Sequence, residues 1–137
     1  MKYMMIVKAS KDSETGRNYE MGVPPHPKLM AAIGKHAEEI TKAGVLLQTG
    51  GLLPTSKGAR VRVAAGKLTV TDGPFIESKE LVGGYGILQV RSKEEAIELG
   101  KAFMKIHLDV LGPSYEGELE IRQMFDPSDQ GPEAGEV

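Results

Sequence analysis

The sequence predicts a single α+β domain in which two helices lie against one face of an antiparallel sheet. Residues 28–43 and 92–111 carry apolar side chains at helical spacing, and short apolar or alternating segments flank both of them. A two-stranded hairpin interrupts the pattern, so the element order is β-α-β, a hairpin insert, and then β-α-β. That order is the ferredoxin-like arrangement of elements.

The first β-α-β unit covers residues 2–53. Its opening run KYMMIVKA is short and apolar, which is typical of a strand buried on both faces. Residues 10–27 are polar and end in three prolines, so we expect a loop that could border a site. The helix that follows is favoured by Pro27 in its first turn and by Gly44 at its stop. Residues 45–53 form the second predicted strand.

A turn at 54–58 leads into the hairpin insert. Its strands are predicted at 59–64 and 67–71, with Gly66 near the tip. The next strand, at 81–90, is rich in glycine, which predicts a close approach of another group to the backbone. These glycines are Gly83, Gly84 and Gly86.

The second helix is predicted to begin after Ser92, which would cap it, with Glu95 reaching back to complete a capping box. Gly112 and Pro113 end the helix. Residues 116–125 alternate as a final strand. Residues 127–137 are polar and acidic without an apolar pattern, so we expect a domain over 1–126 and a disordered tail beyond it.

Composition and charge exclude several classes of function. The 137 residues have a formal net charge of −2 and contain no cysteine. The charge gives no support for nucleic acid or an anionic membrane as a partner, and the missing thiol excludes disulfides and thiol catalysis. Since the chain has neither a long apolar run nor the apolar core of a signal peptide, we expect a soluble, cytoplasmic protein.

The first strand predicts a self-association partner. Tyr3, Met5 and Val7 would lie on one of its faces, and Met4 and Ile6 on the other. A strand with one solvated face should instead alternate between apolar and polar residues. We therefore expect a second subunit to cover the sheet face without helices, most simply as a symmetric homodimer.

Two histidines fall on the inward faces of the predicted helices. His36 lies roughly 20° from Leu29 around the first helix, and His107 follows Phe103 by four residues on the second. Each is either a core histidine bonded to a protein partner, or an acid, base or substrate contact in a cleft between helix and sheet. The core interpretation is favoured more for His107 than for His36.

The segment TDGPFIESKE combines a turn with a charge cluster. Asp72 lies at a predicted strand end from which it could orient His36, although Asp in an Asp-Gly turn more often bonds its own backbone. We expect the segment to form one wall of a cleft opposite His36. Phe75 would supply its apolar floor, and Glu77 and Lys79 would order its rim; a solvated loop face is the alternative.

Arg122, in the last predicted strand, could anchor a ligand that carries a carboxylate. An ion pair with Glu80 or Glu120 is the alternative. The three histidines lack the spacing of a metal site, and no glycine-rich loop matches a phosphate or dinucleotide fingerprint. We therefore expect no metal and no organic cofactor, with a small-molecule ligand as a possible partner.

Several stretches of the chain carry a family resemblance. One stretch combines Asp72-Gly73-Pro74-Phe75 with Glu77, Lys79-Glu80 and Gly83-Gly84-Tyr85. Together these residues resemble the signature of the YCII-related family, in the branch named after its Asp-Gly-Pro-Phe motif. The family's opening strand is similar to KYMMIVKA, and the stretch after its first helix is similar to KAGVLLQTGGLLPTSKGARVR. Its closing strand is similar to EGELEIRQMF. The resemblance implies a ferredoxin-like fold that dimerises as an α/β barrel.

The resemblance also bears on function. The better-studied branch resembles small dehalogenases and lactone isomerases, for which a histidine on the first helix and an acidic residue are proposed to transfer protons. His36 matches that helix position, whereas the acidic residue has no assigned counterpart here. In the Asp-Gly-Pro-Phe branch the helix position is often Tyr or another residue, so a mechanism that depends on His36 would not be general to that branch. Members of the branch are often encoded beside sigma factors of the extracytoplasmic-function type.

Two functions remain open at the level of sequence. The first is a cofactor-free enzyme that performs isomerase-, lyase- or dehalogenase-like proton transfer on a small carboxylated metabolite, with His36 as acid or base. Asp72 would orient it, and Arg122 would anchor the substrate. The second is a non-catalytic dimeric module that senses a ligand or binds a protein in a sigma-factor-linked context.

Overall fold

The computed structural model describes residues 1–8, 24–75 and 82–127. Within these ranges the chain forms β1 (Lys2–Lys8), α1 (Pro27–Lys42), β2 (Leu46–Gly51), β3 (Ala59–Ala64), β4 (Lys67–Asp72), β5 (Val82–Gln89), α2 (Lys93–Leu111) and β6 (Leu119–Gln123). The predicted α+β class is confirmed. Most of the predicted loop at 10–27 and nearly all of the predicted tail lie outside the described residues.

The strands form two separate sheets. The larger has the order β2-β5-β1-β6, and each neighbouring pair is antiparallel. β1 and β2 are therefore parallel and separated by β5, which is the split β-α-β connection of a ferredoxin-like fold. The hairpin strands β3 and β4 pair only with each other within the described chain.

The core lies between the larger sheet and the two helices. Tyr3, Met5 and Leu88 are buried in one cluster with Ala96 of α2. Side chains alternate between the two faces of a strand, so Met4, Ile6 and Ile87 lie on the face without helices, where each is half-buried. The two apolar faces predicted for β1 are thus present. The second subunit expected to cover Met4 and Ile6 stays a prediction.

The helices begin at polar caps. His26 caps α1, since its Nδ1 accepts a hydrogen bond from the backbone N–H of Lys28 at 3.1 Å, and Pro27 occupies the first turn as predicted. Ser92 caps α2 through Oγ, which accepts from the N–H of Glu95 at 3.1 Å. The predicted capping box is only half formed, because the Glu95 carboxylate accepts from the N–H of Arg91 at 3.4 Å instead of from the cap residue. In the described part of the chain, neither helix is long and apolar enough to cross a membrane.

Close backbone contacts explain the glycines of β5 and the strand beside it. A Cβ on Gly84 would come within 3.0 Å of the carbonyl oxygen of Gly50, and one on Gly50 would come within 3.0 Å of the Tyr85 ring. The close approach predicted from the glycine-rich strand is therefore present. It lets β2 lie against β5 with the Tyr85 side chain directly over the neighbouring backbone.

Candidate functional site

His36 lies on the side of α1 that faces the sheet. The next residue, Ala37, and Ile40 one turn on pack against the core, and His36 itself is half-buried. Its Nε2 atom is buried and has no hydrogen-bond partner among the described residues. A buried polar atom without a partner costs about 1–3 kcal/mol, and such atoms are rare in native proteins. This unsatisfied imidazole nitrogen on the inward side of α1 is therefore the strongest sign of a site among the described residues.

His107 has a different environment. It is 5% exposed, and its Nδ1 lies 3.0 Å from the carbonyl oxygen of Phe103. Because a carbonyl can only accept, Nδ1 carries the proton of the neutral ring. The ring also packs on Phe103 and stacks on Tyr115, with centroid distances of 4.8 and 5.4 Å.

The electrostatics of His107 follow from this packing. Burial lowers the pKa of the imidazole, and the hydrogen bond to the carbonyl of Phe103 opposes that effect only in part. The ring is therefore neutral near pH 7. These contacts are those of a core histidine, and its role in substrate binding stays a prediction.

The Asp-Gly-Pro-Phe segment packs on the turn formed by Thr55–Lys57. The N–H of Gly73 donates to the carbonyl of Gly58 at 2.9 Å, and the N–H of Phe75 donates to Oγ1 of Thr55 at 2.7 Å. A Cβ on Gly73 would overlap the backbone oxygen of Thr55. Contact with this turn therefore requires glycine at position 73, independently of any requirement for a special backbone conformation.

Phe75 is the buried anchor of this segment, at 7% exposure. The guanidinium carbon of Arg60 lies 4.0 Å from the centre of its ring, which is the geometry of a cation–π contact. Phe75 is thus covered by a cation from β3. Thr55 and Arg60 were not among the predicted site residues. In the sequence, only the Pro-Thr-Ser turn points to Thr55, and only the group of basic residues in the hairpin points to Arg60.

Asp72 ends β4 and is exposed. Its carboxylate makes no hydrogen bond to His36, nor to its own backbone, among the described residues. The structure therefore does not join it to His36 in a hydrogen-bonded pair, and the orienting role of Asp72 stays a prediction. Glu77 and Lys79, the expected rim of the cleft, lie outside the described residues.

Arg122 lies on the sheet face opposite the helices. In the register of β1 and β6, Met4 pairs with Arg122 and Ile6 with Glu120, so these side chains share the face without helices. Arg122 forms an ion pair with Glu120, the second of the two partners considered from the sequence. His36 lies on the other side of the sheet, so one chain does not bring Arg122 and His36 together.

Glu120 is the centre of a charge cluster on that face. Nζ of Lys8 lies 3.4 Å from Oε1 of Glu120, and the Lys8 side chain is only 14% exposed. Partial desolvation of the carboxyl would raise the pKa of Glu120. The hydrogen bonds and positive charges of Arg122 and Lys8 outweigh that effect, and the pKa is lowered. The carboxylate therefore stays ionised and links two cations on a face that also carries apolar side chains.

The side chains that bind metals in proteins do not cluster in the described part of the chain: it holds no group of three or more His, Asp or Glu residues that could hold an ion. The arrangement around His36 offers instead an imidazole nitrogen with no hydrogen-bond partner in the described part of the chain. Such a group can accept a proton from a bound molecule or donate one to it.

Comparison with known proteins identifies a matching family and a relative. A sequence model of the YCII-related domain matches residues 1–108, a stretch that contains His36, the hairpin and the Asp-Gly-Pro-Phe segment. An uncharacterised protein from Rhizobium meliloti (strain 1021) is 31% identical over 74 residues. That alignment covers 54% of this chain and 60% of the relative.

Proposed function

The chain belongs to the YCII-related domain family, and we propose that it is a small enzyme that uses His36 to move a proton on a small carboxylated metabolite. The reaction would be an isomerisation or an elimination without a metal or organic cofactor. The Asp-Gly-Pro-Phe residues favour the branch that carries this motif. The proposal also includes a homodimer through the sheet face that carries Met4 and Ile6.

The observation that supports this proposal is the buried Nε2 of His36, for which residues 1–8, 24–75 and 82–127 offer no hydrogen-bond partner. Histidine is the side chain best suited to exchange protons near neutral pH. A nitrogen already bonded to the protein, as Nδ1 of His107 is, would be less available for that exchange. The position of His36 between helix and sheet would shield a bound molecule from water, which strengthens electrostatic contacts with it.

The experiment is thermal unfolding in the presence of small organic acids and lactones, with three proteins compared. These are the wild type, His36→Gln and, as a matched control, Lys35→Ala, which changes an exposed neighbour on the same helix. A ligand that binds only the native state at a hundredfold excess over its Kd stabilises it by about 2.7 kcal/mol. We expect one class of acid to stabilise the wild type and Lys35→Ala but not His36→Gln.

The same compounds would then be tested for turnover by NMR, which detects isomerisation or elimination products directly. We expect His36→Gln to lose at least 100-fold in kcat/KM, since a positioned acid or base contributes roughly 10²–10⁴-fold. Equal binding and turnover by wild type and His36→Gln would refute the role of His36.

A second function is favoured by what surrounds His36. Among the described residues no acidic side chain is bonded to it, and Arg122 is engaged by Glu120 on the other face of the sheet. A catalytic set is therefore not assembled by these residues. This supports a dimeric module that senses a ligand or binds a protein in a regulatory context, for which His36→Gln would keep ligand affinity and no compound would turn over.

A further inference from the structure

The hairpin of β3 and β4 carries an exposed aliphatic face. Val61 pairs with Val70 across the hairpin, and Val63 pairs with Leu68. Directly paired residues on antiparallel strands point to the same side, so the four side chains form one continuous patch. Their exposed fractions are 69%, 67%, 71% and 73% in that order.

The opposite face of the hairpin is polar and basic. Its polar residues are Arg60, Arg62, Lys67, Thr69 and Thr71, and Ala64 lies opposite Lys67 on the same face. The hairpin is therefore an amphipathic ribbon, with every residue of both strands exposed. A two-stranded hairpin is at best marginally stable in water unless one face is covered.

Specific contacts hold the base of the hairpin, and they define the direction in which the hairpin extends from the neighbouring turn. The hydrogen bond from Gly73 to Gly58 closes the two strands below their first pair, and Arg60 packs on the buried Phe75 ring. At the tip, Ala65 and Gly66 both have positive φ, at 51° and 75°, as in a tight two-residue turn. The hairpin is thus a folded two-stranded ribbon, and no residue of the described chain packs over its apolar side.

We propose that this aliphatic face is a clasp that packs against a second copy of the same chain. Among the described residues, apolar surfaces stay exposed or half-exposed on different elements. One is the hairpin patch, and another is the face of the larger sheet with Met4, Ile6 and Ile87. One symmetric association can cover both surfaces in both copies, because each copy supplies each surface. A foreign partner would need two matching surfaces of its own.

The areas support a second copy. An aliphatic side chain of this size carries roughly 60–120 Å² of apolar surface, so each hairpin leaves roughly 170–340 Å² uncovered. Two hairpins and the surfaces that they cover would bury roughly 700–1,400 Å² in total, against about 1,200 Å² for the smallest stable specific interfaces. When the area buried by the sheet faces is added, the total buried area suits a stable dimer. The clasp rests on the homodimer proposed above but not on the chemistry of His36.

The first test is sedimentation equilibrium on the full chain. Replacement of all four patch residues by threonine keeps a strand-forming residue at each position but places hydroxyl groups on the apolar face. We expect the dimer Kd to rise by at least 100-fold. A matched control, Arg62→Gln with Lys67→Gln, changes the polar face of the same strands and should leave the Kd within threefold. An unchanged Kd in the threonine variant would overturn the clasp.

A second test reads the hairpin directly and does not depend on removing its apolar face. The chain has no cysteine, so Leu68→Cys introduces a single thiol on the aliphatic face, and Thr69→Cys introduces one on the polar face. Under reducing conditions, maleimide should label Leu68→Cys at least tenfold more slowly above the dimer Kd than below it. Thr69→Cys should react at the same rate at both concentrations.

The outcomes separate the two proposals. If the protein is dimeric but Leu68→Cys reacts equally at both concentrations, the clasp is wrong and the dimer through the sheet face stands. If the protein is monomeric throughout the accessible range, both the clasp and the dimer are wrong, while the ligand binding of His36 is tested independently. Concentration-dependent protection of Leu68→Cys alone supports the clasp.

Discussion

Replacing Gly73 with alanine would test the contact that fixes the Asp-Gly-Pro-Phe segment. The new Cβ would overlap the backbone oxygen of Thr55 and lie 3.2 Å from the backbone nitrogen of Ser56. Backbone atoms cannot rotate away as a flexible side chain can. The segment and the turn at Thr55–Lys57 must therefore move apart.

The cost follows from the contacts that this separation breaks. The hydrogen bonds of the Gly73 and Phe75 N–H groups each contribute about 0.5–1.5 kcal/mol net. Burial of a Phe side chain contributes about 1.5–3 kcal/mol, of which partial exposure would forfeit a fraction. We expect Gly73→Ala to lower the free energy of unfolding by about 2–4 kcal/mol.

The assay is urea denaturation followed by circular dichroism, with Gly58→Ala as the matched control. Gly58 belongs to the same turn, but a Cβ there would lie 3.7 Å from the same oxygen of Thr55, an ordinary contact. Its φ of −130° is open to any residue. We expect this control to stay within about 1 kcal/mol of wild type. Equal stability of the two alanine variants would refute the steric argument.

Three further predictions concern the helices. Gly34 lies within α1 with nothing inside 4 Å of a Cβ, so Gly34→Ala should stabilise the protein by about 0.8–1.0 kcal/mol in urea denaturation, and a loss of stability would contradict this. Gly100 lies in α2 and faces β6, where a Cβ would come within 2.7 Å of Cδ1 of Ile121 and 3.1 Å of Cδ2 of Leu119. Overpacking of about 1–3 kcal/mol exceeds the gain of about 0.8–1.0 kcal/mol in helix propensity, so we expect Gly100→Ala to lower the thermal midpoint slightly and Ile121→Val to recover part of it. Burial lowers the pKa of His107 below the ordinary 6.5, so as the pH falls below 6.5 the unfolded chain takes up the proton first and the free energy of unfolding declines. His107→Leu should flatten that decline. If the denaturation midpoints of wild type and His107→Leu had the same pH dependence, the lowered pKa of His107 would be refuted as its cause.

Much of the fold could be predicted because its signals are local. The spacing of Leu29, Ala37 and Ile40 predicts the inward face of α1. The glycines of β5 indicate close packing without identifying the neighbouring strand that packs there. The capping box on α2 was predicted from residue types alone. It proved half formed, because the Glu95 side chain accepts from the N–H of Arg91 instead of from that of Ser92.

The site was less predictable because its contacts depend on residues that are distant in sequence. The register of β1 against β6 puts Lys8 beside Glu120, and no local pattern in the sequence joins these two residues. The pair of Glu120 and Arg122 is the exception, because residues two apart on one strand share a face. The cover of Phe75 by Arg60 and Thr55 likewise depends on how the hairpin folds back on the preceding turn. His36 could be placed on an inward face, but packing alone determines that its Nε2 meets no hydrogen-bond partner among the described residues.

The contact between Gly50 and Tyr85 has an evolutionary consequence. Because a Cβ at position 50 would lie 3.0 Å from the Tyr85 ring and would require that ring to shift, the two positions are coupled. We expect a homologue that gains a side chain at position 50 to carry a smaller side chain than Tyr at position 85. Tyr85 also accepts a hydrogen bond from the side chain of Gln48 at 3.1 Å, so loss of the ring removes the constraint on that residue as well. Aligned relatives should therefore show substitutions at positions 48, 50 and 85 in correlated sets.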